Sequence, residues 1–227
     1  MSAPSSSAAG AHEPLVKPAL GVGVAPALEG RNRLTCAFRL VLAVPHLLLV
    51  GGPIALGLTW AGRPEGQDLG WQGSGGALGA VACLCALVSW FAIVFTGRHP
   101  RGLWETGAFY LRWRVRAVAY TALLRDEYPP FGEGSYAAFV ELVRPEEPRD
   151  RVAIAFRIVL ALPHLIAVWL LGVAWACTTV IAWFGILFTG RYPAGLYQFA
   201  VGVLRWSTRV EAYLLLLDDR YPPFSLE

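Results

Sequence analysis

Residues 90–131 read WFAIVFTGRHPRGLWETGAFYLRWRVRAVAYTALLRDEYPPF, and residues 183–224 read WFGILFTGRYPAGLYQFAVGVLRWSTRVEAYLLLLDDRYPPF. The two stretches align without a gap through WF-x-I, F-TGR-x-P-x-GL, LRW-x-x-R-x-x-AY, LL-x-D and YPPF. Self-similarity over such a length is the mark of a duplicated structural unit. Working outward, FRLVLAVPHL at 38–47 returns as FRIVLALPHL at 156–165 in a different register. The first unit therefore carries an insertion, located between Gly57 and Gly79. On this division 1–19 is a small-residue, Pro-containing disordered tail, 20–131 is the first unit and 132–227 the second.

The composition sets the medium. Of 227 residues, 56% are hydrophobic and only 15% are charged, with 24 glycines besides. That excludes a disordered tail protein, a coiled coil and most soluble enzymes, and it points into the bilayer. The net charge of +3 is too small to argue nucleic-acid binding. Residues 1–27 hold one positive charge, Lys17, and no continuous apolar run, so no cleavable signal peptide is expected. Cys36, Cys83, Cys85 and Cys177 have no metal or redox spacing and read as small buried hydrophobes.

The expected fold is an all-α membrane protein: four transmembrane helices in two duplicated hairpins, each hairpin followed by a cytoplasmic interfacial amphipathic helix. In the first unit 38–58 and 77–95 each have bilayer length. The loop between them is polar and Gly-rich, with Trp60 and Trp71 at its edges. In the second unit Val152–Phe188 is almost continuously apolar, and one helix that long would run ~55 Å, nearly twice the hydrocarbon core. The duplication argues for two spans, 153–171 and 173–189, with a turn near Gly172. A short strand is a candidate before each hairpin, Val22 and Val24 in one unit and Val140 and Leu142 in the other, with the two able to pair. Of the 19 basic residues only Arg63 falls in an outer loop, which puts both termini in the cytoplasm of a multi-pass cell-membrane protein.

TGR-x-P has the order of a helix stop: Gly for a left-handed cap, Arg at the negative helix end, Pro to prevent continuation. Arg98 and Arg191 in it are candidates to hold lipid phosphates, as are Arg39 and Arg157 at the start of the hairpins. The helices at 103–124 and 196–217 carry Arg112 and Arg116, and Arg205 and Arg209, at i and i+4. With Trp113, Tyr120, Trp206 and Tyr213 they read as helices lying in the interface, the arginines again toward phosphate. A third span per unit would strand those pairs at depth, at ~2.5–3.5 kcal/mol each. YPPF stops each helix and reads as an architectural plug. Pro45-His46 and Pro163-His164 place a kink and an ionisable group inside a span. His46 and His164 are therefore the candidate intramembrane polar site, by packing, by proton or headgroup handling, or by ligand binding.

With these motifs the chain resembles a bacterial family of integral membrane proteins, common in actinobacteria and known as a domain of unknown function, whose members often carry the unit twice. The resemblance covers nearly all of 31–227. It implies fold and location, and brings no activity, substrate or catalytic residue. The copy departs in its outer-loop insertion, its Gly-rich first strand and His99 where the second unit has Tyr192.

No nucleophile–base pair, metal cluster or carboxylate pair is visible, so no catalytic residue, metal or cofactor is expected. The expected function is that of a non-catalytic lipid-engaging accessory or scaffold subunit of the cell envelope. Its partners would be anionic lipids of the cytoplasmic leaflet and a membrane protein, without nucleic acid. The alternatives are a small transporter or channel component using His46 and His164, and a lipid-modifying enzyme.

Overall fold

A computed structural model describes residues 20–52 and 76–227. The tail at 1–19, the loop carrying Trp60, Arg63 and Trp71, and the end of the 38–58 span lie outside the described residues. The chain runs β1 (Leu20–Val24), α1 (Arg33–Ala37), α2 (Arg39–Val50), α3 (Gly76–Thr96), α4 (Arg101–Thr121), β2 (Ala138–Leu142), α5 (Arg151–Ala155), α6 (Arg157–Thr189) and α7 (Ala194–Leu214).

Each unit starts its helices the same way. The side chains of Asn32 and Asp150 cap α1 and α5, each accepting from two backbone N–H groups of the first turn. Phe38 and Phe156 then leave helical geometry for one residue, which separates α1 from α2 and α5 from α6. The break turns the following residues, Arg39 and Arg157, inward, and both are buried. Gly97 and Gly190 sit at φ of +73° and +71° after the last residue of α3 and α6, as the TGR motif requires. In both turns the threonine hydroxyl accepts from the arginine N–H, at 3.2 Å.

The two strands do pair. β1 and β2 form one antiparallel ribbon with Leu20 opposite Leu142, Val22 opposite Val140 and Val24 opposite Ala138. The glycine at 23 has a packing reason, since a Cβ there would come within 2.4 Å of the Phe139 ring.

Among the described residues two helices, α3 and α6, are long and apolar enough to cross a membrane, in place of the four spans expected. α6 is one helix of 33 residues, without the turn placed near Gly172. A lone glycine costs a helix only ~1 kcal/mol against alanine, and the apolar residues around Gly172 offer nothing to satisfy the backbone of a turn. By repeat register α2 corresponds to the first part of α6 and α3 to the rest. The continuous helix is thus the unit's own form, and the insertion in the first unit breaks it. α2 keeps only 12 residues.

The second correction concerns α4 and α7, which do not lie outward as amphipathic helices. They form the centre: α4 packs on α2, α3, α7 and β2, and α7 on α4, α6 and β1. Ala108, Ala117, Ala119, Ala200 and Ala212 are almost fully buried in them and let neighbours approach from several sides. The arginines on these helices find acceptors inside the molecule. Arg116 donates to the Gly132 carbonyl at 2.8 Å and Arg209 to that of Ser225 at 3.4 Å.

The exposed surface of the outer helices is apolar. Within the most apolar stretch of α3 and of α6 only 22% of residues are buried in the molecule. Phe91, Phe95, Leu170, Phe184 and Phe188 all stand exposed. The cysteines divide accordingly: Cys36 is buried, but Cys83 and Cys177 are exposed on this face and Cys85 is partly so, against the expectation of core packing.

Candidate functional site

The Pro-His motifs are enclosed by their own unit's aromatics. His46 is fully buried, stacked on Phe131 with ring centroids 4.5 Å apart and flanked by Tyr128 at 4.9 Å. Trp113 donates its indole N–H to His46 Nδ1 at 3.0 Å, so that nitrogen is an acceptor and the ring is neutral with the proton on Nε2. His164 repeats the arrangement with Phe224 at 3.9 Å, Tyr221 at 4.8 Å and Trp206 edge-on at 5.9 Å. Here neither ring nitrogen has a partner, nor does the Trp206 indole N–H. The YPPF segment therefore closes over the Pro-His step of the helix. Tyr221 also donates to the Leu160 carbonyl, one turn before Pro163, at 3.2 Å.

Beside each cage lies an arginine–aspartate knot. Asp126 accepts from Arg31 Nε at 2.9 Å and Nη2 at 2.7 Å, from Arg39 Nη2 at 2.5 Å and from the Asn32 backbone N–H at 3.0 Å. The same constellation in the second unit joins Asp219 to Arg149 and to Arg157, the latter at 2.6 Å. Arg39 and Arg157 also lie over the rings of Tyr120 and Tyr213, at 4.1 and 4.2 Å. Burial alone would raise both carboxyls. The hydrogen bonds and charges of the paired arginines outweigh it and hold them below the ordinary carboxylate range.

The helix bearing TGR in one unit packs on the first helix of the other, α3 on α5 and α6 on α1. Arg31 N–H donates to the Gly190 carbonyl at 3.1 Å, and Arg149 N–H to the Gly97 carbonyl at 3.0 Å. Both TGR turns, with Asp126, Asp219 and Arg157 of the knots, fall in the segments that a known family matches. The family described as Domain of unknown function (DUF4389) matches residues 75–132 and 151–225, more than half of the chain. The chain belongs to this family. The DUF4389 match comes in two parts, one on each repeat, with α1 and α2 of the first unit outside it. Neither the curated proteins nor the solved structures give a match.

Within the DUF4389 chain, the eight arginines expected to meet lipid phosphate have different positions. Arg39 and Arg157 are 1% and 2% exposed and are spent on the knots. Arg116 and Arg209 serve internal carbonyls, Arg205 donates to that of Val22 at 3.3 Å, and Arg112 lies 3.8 Å from Glu133. Only Arg98 and Arg191 stand exposed, with Arg191 3.7 Å from Glu29. Two arginines that sequence reasoning passed over join them. A Cβ at Gly97 would lie 3.2 Å from Arg151 Nε, and one at Gly190 would lie 3.5 Å from Arg33 Nε. Each TGR turn is thus flanked by an arginine of its own and one from the other unit.

Three further groups escaped the sequence. Asp126 and Asp219 were identical in both repeats, and that coincidence was the available signal. Arg114 and Glu211 had none, because Ser207 and Val118 occupy the equivalent positions. They pair at 2.8 Å, and Arg114 also takes the carbonyls of Val50 and Gly52 at 2.6 and 2.9 Å, closing the end of α2. His99 is buried between Ser89 Oγ at 2.9 Å and Arg149 Nη1 at 2.8 Å. Burial first, then the charges of Arg149 and Arg144, pushes it down to about 4. It is neutral at pH 7, accepting from Arg149 at Nδ1 and donating from Nε2 to Ser89. Among the described residues no group of three or more His, Cys, Asp or Glu is placed to hold a metal ion.

Proposed function

We propose that this DUF4389 chain is a non-catalytic, multi-pass membrane protein of the bacterial cell envelope, working as a lipid-engaging accessory or scaffold subunit. Both termini and the TGR turns face the cytoplasm, and the turns meet the phosphates of anionic lipids. The observation behind this reading is the succession at the ends of α3 and α6. An apolar exposed face ends at Phe95 and Phe188, and exposed Arg98 and Arg191 follow at once, beside Arg151 and Arg33. Apolar surface next to a guanidinium pair suits acyl chains next to a phosphate.

The test compares lipid retained by the purified wild-type protein with that retained by a variant carrying Arg33→Gln, Arg98→Gln, Arg151→Gln and Arg191→Gln. Extraction from phosphatidylcholine vesicles with a fifth of phosphatidylglycerol should leave the variant with severalfold less phosphatidylglycerol per chain. Equal retention removes the lipid part of the reading. Orientation is tested separately, by labelling Arg191→Cys with a membrane-impermeant maleimide on intact and permeabilised cells. Labelling of intact cells would reverse the topology.

A further inference from the structure

α6 holds 33 residues and extends ~50 Å at 1.5 Å per residue. The hydrocarbon core of a bilayer is about 30 Å thick, and spanning helices tilt by up to ~40°. Tilted that far, α6 would still need ~38 Å. Its buried residues form one stripe from Arg157 to Ile186. The other side exposes Ile158, Ile166, Leu170, Val173, Ile181 and Phe188, over the whole length of the helix. No charged residue lies between Arg157 and Arg191 to mark where a hydrocarbon core would end. The first unit repeats the pattern. Gly76 abuts the last turn of α2, where a Cβ would come within 2.6 Å of the Leu49 backbone, so α2 and α3 follow one another as the two parts of α6 do.

The two TGR turns stand at opposite ends of α6. Gly190 closes its last turn, whereas Gly97 accepts from the N–H of Arg149, on the segment that leads through α5 into its first turn. Were α6 to cross the bilayer, exposed Arg98 and Arg151 would lie on one side and exposed Arg191 and Arg33 on the other. The bias of positive charge that orients membrane proteins would then cancel. The ribbon argues against crossing independently. Arg205, at the middle of α7, donates to the Val22 carbonyl at 3.3 Å, and Trp206 beside it packs with Val168, a third of the way along α6. The ribbon therefore lies level with the body of α6. Among the described residues each strand has one neighbour only, which leaves an unpaired edge on either side, and Glu141 stands exposed on β2. Open strand edges do not occur at hydrocarbon depth, and a carboxylate there is costly.

One placement satisfies the helix length, the turns and the ribbon together. Large exposed hydrophobic residues line α2, α3 and α6 and are absent from α4 and α7. α4 lies between α2, α3 and β2, and α7 between α6 and β1, so the molecule is layered with its long helices on one side and the ribbon on the other. We propose that α2, α3 and α6 lie along the membrane, their exposed faces sunk into the acyl region of a single leaflet, with the ribbon in water and both TGR turns at the phosphates of that leaflet. Lipid suits this face because the apolar surface ends at a guanidinium pair at both of its ends, as acyl chains end at phosphates. This placement rests on the lipid-engaging part of the reading above and departs from it at one point: insertion into one leaflet replaces passage across the bilayer. It also lets both turns share the cytoplasmic side.

The experiment reads sidedness at three places in cells expressing the full chain. Gly102 and Gly195 follow the two TGR turns at equivalent positions, and a Cβ at either meets nothing within 4 Å. Gly102→Cys, Gly195→Cys and Glu141→Cys are each treated with a charged, membrane-impermeant maleimide before and after permeabilisation. The wild type, with Cys83 and Cys177 exposed on the apolar face, gives the blank. All three variants should label severalfold more after permeabilisation. Where a glycine variant is not recovered, Arg98→Cys or Arg191→Cys reads the same turn. Labelling of the two turns from opposite sides means that α6 crosses, and overturns the placement while the membrane reading stands. Protection of Glu141→Cys in both states overturns it in the same way. Labelling of all three in intact cells supports the single leaflet and reverses only the cytoplasmic side. Wild-type protein recovered in the soluble fraction after lysis means that protein covers the apolar face, and defeats the membrane reading and this placement together.

Discussion

The indole N–H of Trp183 donates to the backbone carbonyl of Cys36, 3.0 Å away and 147 residues earlier in the chain. Trp90 makes the counterpart bond to Ile154 at 3.0 Å, so each repeat's long helix is pinned to the other repeat's first helix. The two units are interlocked. Neither would retain these contacts alone, and the Arg31–Gly190 and Arg149–Gly97 backbone bonds add to the same exchange.

Replacing Trp90 or Trp183 by Phe preserves the ring and leaves a carbonyl without its donor. Each change should lower stability by about 1 kcal/mol. The double variant should lose about the sum, since the two contacts share no partner. Denaturant unfolding in detergent reads this directly. A loss confined to one variant would argue against an equal role for the two contacts.

The knots predict the effect of removing a carboxylate. Asp126→Asn leaves Arg31 and Arg39, both buried, without their counter-charge, and should cost about 3 kcal/mol, the lower end for a broken buried pair. Asp219→Asn should cost less, because the Asp219 side chain is 35% exposed against 23% for Asp126. Thermal melts of the two variants give the order. The pH dependence has a definite sign: both carboxyls sit below the ordinary value of 3.8 in the fold. Their stabilisation is complete above that value and lost as pH falls through the lower folded-state value.

His99 acts in a higher window. Its folded-state value of about 4 lies below the ordinary 6.5, so the unfolded chain binds the extra proton between them. Stability is full above pH 6.5 and falls as pH drops toward 4, by about 3 kcal/mol at 1.36 kcal/mol per unit. Melting temperatures from pH 7.5 to 4.5 should show this slope. His99→Gln should flatten it, and a slope that survives the substitution would assign it to other groups.

The two histidine cages differ in the bond to the ring itself, which Trp113 makes to His46 and Trp206 does not make to His164, and that difference is testable. His164→Phe keeps the stack on Phe224 and removes two nitrogens that have no partner, so stability should stay within about 1 kcal/mol or rise. His46→Phe takes away the acceptor of Trp113 and should cost about 1–3 kcal/mol. Equal losses at both sites would mean that the Trp113 bond contributes little.

Much of the local structure was legible in advance. The strands, the TGR stops and the plug role of YPPF follow from residue types whose backbone preferences act over a few positions. The Asn32 and Asp150 caps work over the same short range. What misled was the inference from repeat symmetry to four spans. Gly172 carries too small a helix penalty to force a turn, and an uninterrupted apolar run gives no local reason to stop. The arginines of α4 and α7 misled for another reason. A guanidinium at i and i+4 looks the same in sequence whether its acceptor is a lipid phosphate or the carbonyl of Gly132.

The amino-acid order alone established the duplication, the apolar character, the helix stops and the two candidate strands, because periodicity and backbone chemistry are properties of neighbouring residues. Only the folded molecule decided that α4 and α7 are central, that the repeats exchange their contacts and that Asp126 and Asp219 gather two arginines each. Those relationships join residues dozens to more than a hundred positions apart. A buried charge or an orphan N–H such as that of Trp175 acquires its meaning from what surrounds it in space.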